Sequence, residues 1–482
     1  MRRQALVLVT MLSVTQSAAA QSAAGISRWV DSIFSPYNRR GAPGCAVGIV
    51  QRGSLAYARG FGEAELRSHV KNTPMTAFYI ASLSKQFTAL SVILLEQDKK
   101  LSLNDDIRRW VPEVPSLGRI TLRQLLQHTS GLRDYYGLLG INGWRQNELL
   151  TEREFLELVS RQRALNFAPG TEFLYSNTGY ALLAIVVQRA SGETLRDFAA
   201  RRIFKPLGML NTQYRDDHTQ PVENEAIGYV PQNGGFAVSI PQLDVVGDGG
   251  VFTTVEDLAR WDANFDTGLV GGRDGVRMMQ QTATLPDGRS TGYALGLSVG
   301  TFGGFRVVSH SGAYGGYRST YLRFPEEHLS VITLCNVATM SSQLAERVGA
   351  LFLGTAVGDG VDPFPSSLPR FMPATPDPLK GVQDPDEQAW LEGKYFSAEL
   401  GMDITVRSEG SRLVLRRAGA PDMVFTRVTR DVFTSTDQMS LNVERDAFGT
   451  VSAFLLSMTR VRNLRFVKTT GVVGSFGAGG YY

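Results

Sequence analysis

Apolar and polar positions along the chain follow several patterns, each of which predicts a different kind of structure. Dense apolar runs at 45–51 and 55–62, separated by an Arg-Gly turn, predict two paired strands. From about residue 76 to 210, apolar residues recur mainly at helical spacing. Further strand signals follow at 291–300, 305–309, 317–324 and 329–335. Strands on both sides of a helical middle predict a mixed α/β (α+β) domain with one mainly antiparallel sheet.

The last quarter of the chain has a different residue pattern. Seven of the twenty prolines lie between residues 361 and 385, and this density predicts a linker because proline removes backbone donors. The short strand candidates beyond it predict a small antiparallel β-barrel. They cover 390–397, 402–408, 412–417, 422–428, 431–435, 440–446, 451–457 and 463–468. The predicted division is a first domain at 21–360, a Pro-rich linker at 361–386, a barrel domain at 387–470 and a Gly-rich tail at 471–482.

The N-terminus predicts export. A basic start, Met1-Arg2-Arg3, precedes an apolar stretch at 5–14 and small residues that end in Ala18-Ala19-Ala20. This order is typical of a secretory signal peptide, which we assign to residues 1–20. A stretch of ten residues is too short for a helix across the ~30 Å hydrocarbon core of a bilayer. We therefore expect a secreted or periplasmic protein without stable membrane insertion.

Composition excludes several classes of function. The chain has 49 basic and 46 acidic residues, a net charge of +3, so it has no broad positive field for a nucleic-acid backbone. Two cysteines are too few for a zinc ribbon or a cysteine-rich scaffold, and the five histidines are scattered. We expect no nucleic-acid partner, no metal and no cofactor.

The first candidate for chemistry is the pair Ser82 and Lys85 in SLSK, inside a largely apolar helical stretch. One turn of helix separates the hydroxyl from the amine, and a buried lysine can lose its proton and then accept the proton of an attacking serine. The pattern alone is weak, because Ser68 and Lys71 have the same spacing. That second pair lies in a charged stretch where nothing predicts burial of the amine.

Two further motifs place polar side chains where they can reach a cleft. Tyr175 and Asn177 lie on a predicted loop that enters a helix from about residue 179, and they offer a phenol for proton transfer and an amide for hydrogen bonding. His310 and Gly312 follow a predicted strand, where glycine permits close approach of a ligand to the backbone. Each motif alone is more typical of an ordinary structural residue.

Together, Ser-x-x-Lys, Tyr-x-Asn and His-x-Gly resemble the serine β-lactamase and penicillin-binding-protein superfamily. Their order, and stretches such as LRQLLQHTSGL (122–132) and GDGGVFTTVEDLARW (247–261), are similar to the class C β-lactamase branch, which includes esterases, DD-peptidases and D-aminopeptidases. The resemblance covers about residues 28–355. The C-terminal region resembles, more weakly, the lipocalin-like barrel that often accompanies these hydrolases.

This resemblance implies a role for each residue of the three motifs. Ser82 would be the nucleophile, Lys85 its partner and Tyr175 a general acid/base. The side chain of Asn177 would contact the substrate amide, and the third motif would line the substrate site through His310 and Gly312. The backbone N–H groups of Ser82 and Ala313 would form the oxyanion hole.

The third motif departs from the class C pattern, which has lysine where this chain has His310. An ordinary imidazole is mostly neutral at pH 7 and becomes charged as the pH falls, so attraction for a substrate carboxylate is weaker. Arg318 is a nearby cation that could partly replace the charge. We expect esters, amides or aminopeptidase-type substrates ahead of β-lactams.

The sequence thus predicts an exported serine hydrolase that forms an acyl-enzyme on small-molecule or peptide substrates. A weak β-lactamase or DD-peptidase acting on cell-wall peptides is one alternative. A catalytically silent penicillin- or peptidoglycan-binding receptor is another. The identity of the substrate, the role of the barrel and the oligomeric state stay open.

The resemblance also bears on the cysteines. In that fold the strands that contain Cys45 and Cys335 are antiparallel neighbours, and export places them in an oxidising compartment. Because adjacent strands often miss the geometry of a disulfide, we expect two buried thiols packed as small apolar side chains.

Overall fold

The computed structural model describes residues 25, 27–340, 342–355, 390–410 and 412–469. The chain divides into two compact units. The first comprises Met1–Asp105, Leu149–Thr151 and Tyr180–Ser366, and the second comprises Asp106–Glu148, Glu152–Gly179 and Ser367–Tyr482. The predicted signal peptide, linker and tail lie outside the described residues.

The helices are, in chain order, α1 (27–34), α2 (Lys85–Gln97), α3 (Leu122–Leu126), α4 (Tyr135–Asn142), α5 (Glu152–Ser160), α6 (Asn177–Ser191), α7 (Leu195–Ala199), α8 (Val255–Thr267), α9 (Gly272–Met279) and α10 (Gln343–Leu353). Helices α3, α4 and α5 belong to the second unit, and α6 begins with the last residues of that unit. Among the described residues, no helix combines the length and the apolar character that crossing a bilayer requires.

The strands of the first unit are β1 (Cys45–Gln51), β2 (Ser54–Phe61), β3 (Glu63–Glu65), β4 (Val70–Lys71), β5 (Phe78–Tyr79), β6 (Gln213–Tyr214), β7 (Tyr229–Gln232), β8 (Gly235–Val238), β9 (Val251–Thr253), β10 (Ser298–Phe302), β11 (Phe305–Tyr314), β12 (Tyr317–Phe324) and β13 (Leu329–Cys335). Six of them form a sheet in the order β10-β11-β12-β13-β1-β2, and all neighbours are antiparallel. The prediction of one antiparallel sheet built from early and late strands is confirmed.

Helices cover this sheet on both faces. On one face, Val30 of α1 and Leu344 of α10 join a buried cluster with Phe324 and Val331 of the sheet. On the other face, α8 approaches β1 so closely that a Cβ on Gly48 would lie 2.3 Å from a methyl group of Val255. Because both faces are buried, β1 has no polar alternation, and all but its last residue are buried.

The second unit contains a closed barrel of β14 (Gly393–Ser397), β15 (Met402–Glu409), β16 (Arg412–Arg417), β17 (Ala420–Arg427), β18 (Val432–Thr434), β19 (Ser440–Arg445), β20 (Val451–Met458) and β21 (Val461–Thr469). All eight strand candidates of the sequence are found here, shifted by at most a few residues. They were predictable because short apolar runs are separated by turn residues, and in some of them, such as β17 and β21, buried and exposed positions alternate over part of the strand.

Two strand predictions in the first unit were wrong in extent. The expected strand at 291–300 begins only at Ser298, because Gly292 and Gly296 have φ values of +68° and +76°, which an extended strand does not accommodate. The expected strand at 305–309 continues as β11 to Tyr314. The His-x-Gly motif therefore lies within a strand and not after its end.

The expectation of two free thiols was also wrong, because Cys45 and Cys335 form a disulfide. The register of β1 and β13 places the two residues directly opposite each other, with their Cα atoms 4.0 Å apart. Register of this kind is a long-range property that the local sequence does not encode. The bond joins residues separated by 290 positions and links the neighbouring strands β1 and β13.

Removing this disulfide should destabilise the fold. A double variant, Cys45→Ala with Cys335→Ala, should lose about 2–4 kcal/mol of unfolding free energy, since the bond restricts a long loop of the unfolded chain. Denaturant titration with and without reductant measures the loss. Reductant should shift the midpoint of the wild type and leave that of the double variant unchanged. Two titratable thiols in the unfolded, unreduced wild type would contradict the assignment.

Candidate active site

Ser82 lies on a single 3-10 turn, Ala81–Ser84, that continues directly into α2. The preceding residue, Ala81, is buried and has a φ of +48°, a left-handed conformation that costs roughly 1–2 kcal/mol for a residue with a Cβ atom. Such local strain is held in place by surrounding contacts and is found preferentially at functional sites. It turns the chain sharply just before the partly exposed serine.

Lys85 is completely buried, and its amine has two polar neighbours in the first unit. Nζ lies 3.1 Å from Ser82 Oγ and donates a 2.7 Å hydrogen bond to the backbone carbonyl of Asp248. The alternative pair differs, since Ser68 and Lys71 are both exposed and the Ser68 hydroxyl donates to the carboxylate of Glu65. Burial separates the two matches, as the apolar context of SLSK predicted.

Strand β11 lies directly against the start of this turn. A Cβ atom on Gly312 would lie 2.0 Å from the carbonyl oxygen of Ile80, so no other residue fits there without a backbone shift. The hydroxyl of Ser319 on β12 donates a 2.7 Å hydrogen bond to the same carbonyl. Gly312 thus brings the strand that contains Ala313 beside the segment that contains Ser82.

Asp248 is a buried carboxylate near this site that received no role from the sequence. Burial, followed by the charge of Asp248, raises the pKa of Tyr79 above its ordinary value of 10, and burial with the same charge has this effect on Tyr214. Both phenols therefore stay protonated at neutral pH. Asp248 lies in GDGG, part of one of the stretches that resemble the family, and this was the signal in the sequence that could have identified it.

His310 is buried within β11, and each ring nitrogen has a hydrogen-bond partner. Nδ1 lies 2.6 Å from the carbonyl oxygen of Ser311, and Nε2 lies 3.1 Å from the hydroxyl of Tyr293. A carbonyl only accepts, so Nδ1 carries the proton and Nε2 accepts from the tyrosine. Burial is the main reason that the pKa of His310 is lowered from 6.5 to about 3.

The expectation of an imidazole that becomes charged within the ordinary pH range was therefore wrong. Burial penalises the charged form, which the local sequence could not reveal. The other cation considered, Arg318, donates hydrogen bonds to the carbonyls of Gly315 and Tyr317. Burial lowers the pKa of Arg318 from its ordinary value.

In the second unit, Tyr175 packs against His128. The two ring centroids are 4.2 Å apart, and the backbone N–H of Ser176 donates a 3.1 Å hydrogen bond to His128 Nδ1. His128 has a φ of +57°, and its carbonyl accepts from the backbone of Leu174. These contacts place the loop before α6 along the segment that follows α3.

Asn177 is the first residue of α6 and is held by one carboxylate. Asp134 Oδ2 accepts hydrogen bonds from the Asn177 backbone N–H at 2.6 Å and from its Nδ2 at 2.9 Å. Thr178 continues the pairing, because its hydroxyl donates to the carbonyl of Arg133 and accepts from the N–H of Tyr135. The tyrosine and the asparagine therefore belong to one hydrogen-bonded loop system.

The sequence assigned no role to Asp134 or His128. Both lie in or next to LRQLLQHTSGL, a stretch recognised as family-like, and Asp134 also caps the N-terminus of α4. An aspartate before a helical stretch is an ordinary cap signal, so its second role, the hydrogen bonds to Asn177, could not be predicted from the sequence.

The predicted site residues fall into two groups. The first unit brings Ser82 and Lys85 together, and the second unit brings Tyr175 and Asn177 together.

One group of side chains among the described residues could hold a metal ion. Asp217, His218 and Asp244 each offer a ligand atom, all within 4.8 Å of one another. Asp244 Oδ1 already accepts hydrogen bonds from the backbone N–H of His218 and lies 2.9 Å from its Nδ1.

The Beta-lactamase family profile matches residues 30–353, about two thirds of the chain. Among curated proteins, a penicillin-binding protein of Bacillus subtilis is 32% identical over 300 residues, covering 59% of this chain and 66% of the relative. A D-aminopeptidase of Cereibacter sphaeroides is 27% identical over 386 residues, covering 79% of this chain and 68% of the relative. The chain therefore spans about two thirds of the length of these relatives.

Solved structures share the fold at lower identity. The octameric penicillin-binding protein homologue from Pyrococcus abyssi has a TM-score of 0.61 at 22% identity and covers 92% of this chain and 99% of its own. A D-amino acid amidase from Ochrobactrum anthropi SV3, complexed with D-phenylalanine, has a TM-score of 0.57 at 24% identity and covers 68% of this chain and 98% of its own.

The buried imidazole predicts a specific acid sensitivity. The folded pKa of about 3 lies below the ordinary 6.5, so between these values the unfolded chain binds a proton that folded His310 does not. This contribution leaves stability unaffected above about pH 6.5 and removes up to about 1.4 kcal/mol for each pH unit below it. His310→Gln should reduce the slope of unfolding free energy against pH by about one proton.

Denaturant titrations between about pH 4.5 and 7.5 measure this slope. The exposed His328 has a φ of +49°, and asparagine tolerates that conformation, so His328→Asn is the matched control for replacing a histidine at the surface. Equal slopes for the wild type and His310→Gln would contradict the buried neutral imidazole.

Proposed function

The chain belongs to the Beta-lactamase family, and from that premise we propose that it is an exported serine hydrolase that forms an acyl-enzyme on Ser82. The observation that carries the proposal is the 3.1 Å contact between Ser82 Oγ and the fully buried amine of Lys85. The predicted signal peptide supports export. The substrates are esters or amides, including D-aminoacyl amides.

In the first step, Ser82 Oγ attacks the substrate carbonyl carbon while its proton passes to Lys85. A neutral amine suits this task, because it donates to the Asp248 carbonyl and keeps a lone pair for the serine hydroxyl. Burial favours the neutral form of a lysine. The new C–O bond converts the carbonyl oxygen to an oxyanion.

Two backbone N–H groups, those of Ser82 and Ala313, stabilise that oxyanion in the proposed mechanism. The tight contact of Gly312 with Ile80 supports this assignment, since it fixes β11 beside the nucleophile's turn. When the C–O or C–N bond to the leaving group breaks, the leaving group takes up the proton that Ser82 gave to Lys85. Tyr175 is assigned the role of general acid/base in this proposal. Water then attacks the acyl-enzyme by the same proton transfers in reverse, and the acid product leaves.

The third motif affects which substrate charge the site prefers. His310 is neutral because its pKa is lowered to about 3, so this position attracts a substrate carboxylate less than a fixed cation would. This favours neutral esters and amides over β-lactams. The D-aminopeptidase relatives support the D-aminoacyl class, in which Asn177 would contact the substrate amide.

Replacing the nucleophile should abolish turnover. Ser82→Ala should lower kcat/KM by at least about 10³-fold for every substrate that the wild type hydrolyses, because the covalent step is lost. The assay is a panel of p-nitrophenyl esters, D- and L-aminoacyl p-nitroanilides and nitrocefin. Ser68→Ala, which alters the exposed second match, should retain full activity.

Equal loss in Ser68→Ala, or full activity in Ser82→Ala, would contradict the assignment. No turnover of any substrate class by the wild type would favour the penicillin- or peptidoglycan-binding receptor. Nitrocefin turnover faster than that of the esters and anilides would favour the β-lactamase alternative over the substrate class proposed here.

A further inference from the structure

The turn between β20 and β21 of the barrel is joined by hydrogen bonds to the segments around Tyr175 and Asn177, all within the second unit. The carbonyl oxygen of Arg460, on that turn, accepts from the backbone N–H of Asp134 at 3.2 Å and from Asn166 Nδ2 at 3.0 Å. Asp134 is the residue whose carboxylate holds Asn177. Asp134 therefore connects a backbone carbonyl of the barrel, that of Arg460, to the candidate substrate-binding side chain of Asn177.

A buried arginine bonds to the start of β21, directly after the same turn. Arg133 is 1% exposed, pairs with Glu399 at 2.7 Å, and donates to the carbonyls of Arg462 and Asn463. These bonds span residues more than 260 positions apart. Since a buried guanidinium without partners is costly, they hold the turn firmly against the loop.

The side chain of Arg460 lies over the ring of Tyr175. Its guanidinium carbon is 4.7 Å from the ring centroid, a distance typical of a cation–π contact. The side chain is half-buried, and within the part of the chain that the structure describes no carboxylate forms an ion pair with it. The ring of Tyr175 thus contacts both the His128 ring and a guanidinium of the barrel.

We propose that Arg460 is a positioning residue of the hydrolase site and that the barrel, through this residue, takes part in catalysis. The inference rests on the proposed role of Tyr175 in proton transfer. Stacking of the guanidinium restricts the tyrosine ring, and the backbone carbonyl of the same residue fixes Asp134 and hence Asn177. A proton-transfer group loses efficiency when its orientation is no longer restricted, even if the substrate still binds.

Kinetics of three full-length variants test this role. Arg460→Gln and Arg460→Ala should each lower kcat by about tenfold while KM stays within about twofold, because proton transfer and not binding is impaired. Arg460→Lys retains the cation over the ring and should stay within about threefold of the wild-type kcat. The melting temperature should not change in any of them, since the backbone bonds of residue 460 remain.

Arg465→Gln is the matched control, because Arg465 is an exposed arginine of β21 paired with Glu444. Wild-type kcat in Arg460→Gln, a parallel loss of kcat and melting temperature, or an equal loss in Arg465→Gln would each overturn the proposal. Acylation of Ser82 is measured in the same proteins. If the wild type is not acylated, the proposed function fails and this inference with it; if acylation is normal throughout and kcat is unaffected, only this inference fails.

Discussion

The burial of one lysine amine is the constraint on which the proposed chemistry depends. Lys85 has no exposed surface, and an ammonium group removed from water without partners costs several kcal/mol. One neighbour of the amine, Ser82 Oγ, lies one helical turn away in the sequence, whereas the other, the carbonyl of Asp248, comes from a distant segment. The strained residue Ala81 and the contact of Gly312 with Ile80 both serve to hold the serine at that amine.

In the second unit, Asp134 has the largest part in positioning the candidate site residues. Its carboxylate holds the backbone and the side chain of Asn177, while its own N–H is bonded to the barrel at Arg460. Charge-assisted bonds of this kind are short and roughly twice as strong as neutral ones. The unit is therefore not a barrel attached to a separate helical part, because Arg133 and Asp134 each bond to both.

Local patterns were sufficient to predict the elements but not their long-range contacts. The barrel strands could be located because short apolar runs are separated by turn residues, and the apolar context of Lys85 distinguished it from Lys71. The disulfide, the lowered pKa of His310 and the contact of Arg460 with Tyr175 all depend on register or burial set by distant segments. No spacing within the sequence carries that information, so these features could be found only in the folded chain.

The proposed hydrolase chemistry requires Ser82 to be the reactive nucleophile of the folded protein. Labelling of the native, full-length protein with a fluorophosphonate, followed by proteolysis and mass spectrometry, tests it most directly. If Ser82 is the nucleophile, one phosphonyl group forms on its Oγ, and labelling is lost when the protein is unfolded before the reagent is added. A native protein that stays unlabelled, or one labelled at another serine, would contradict it.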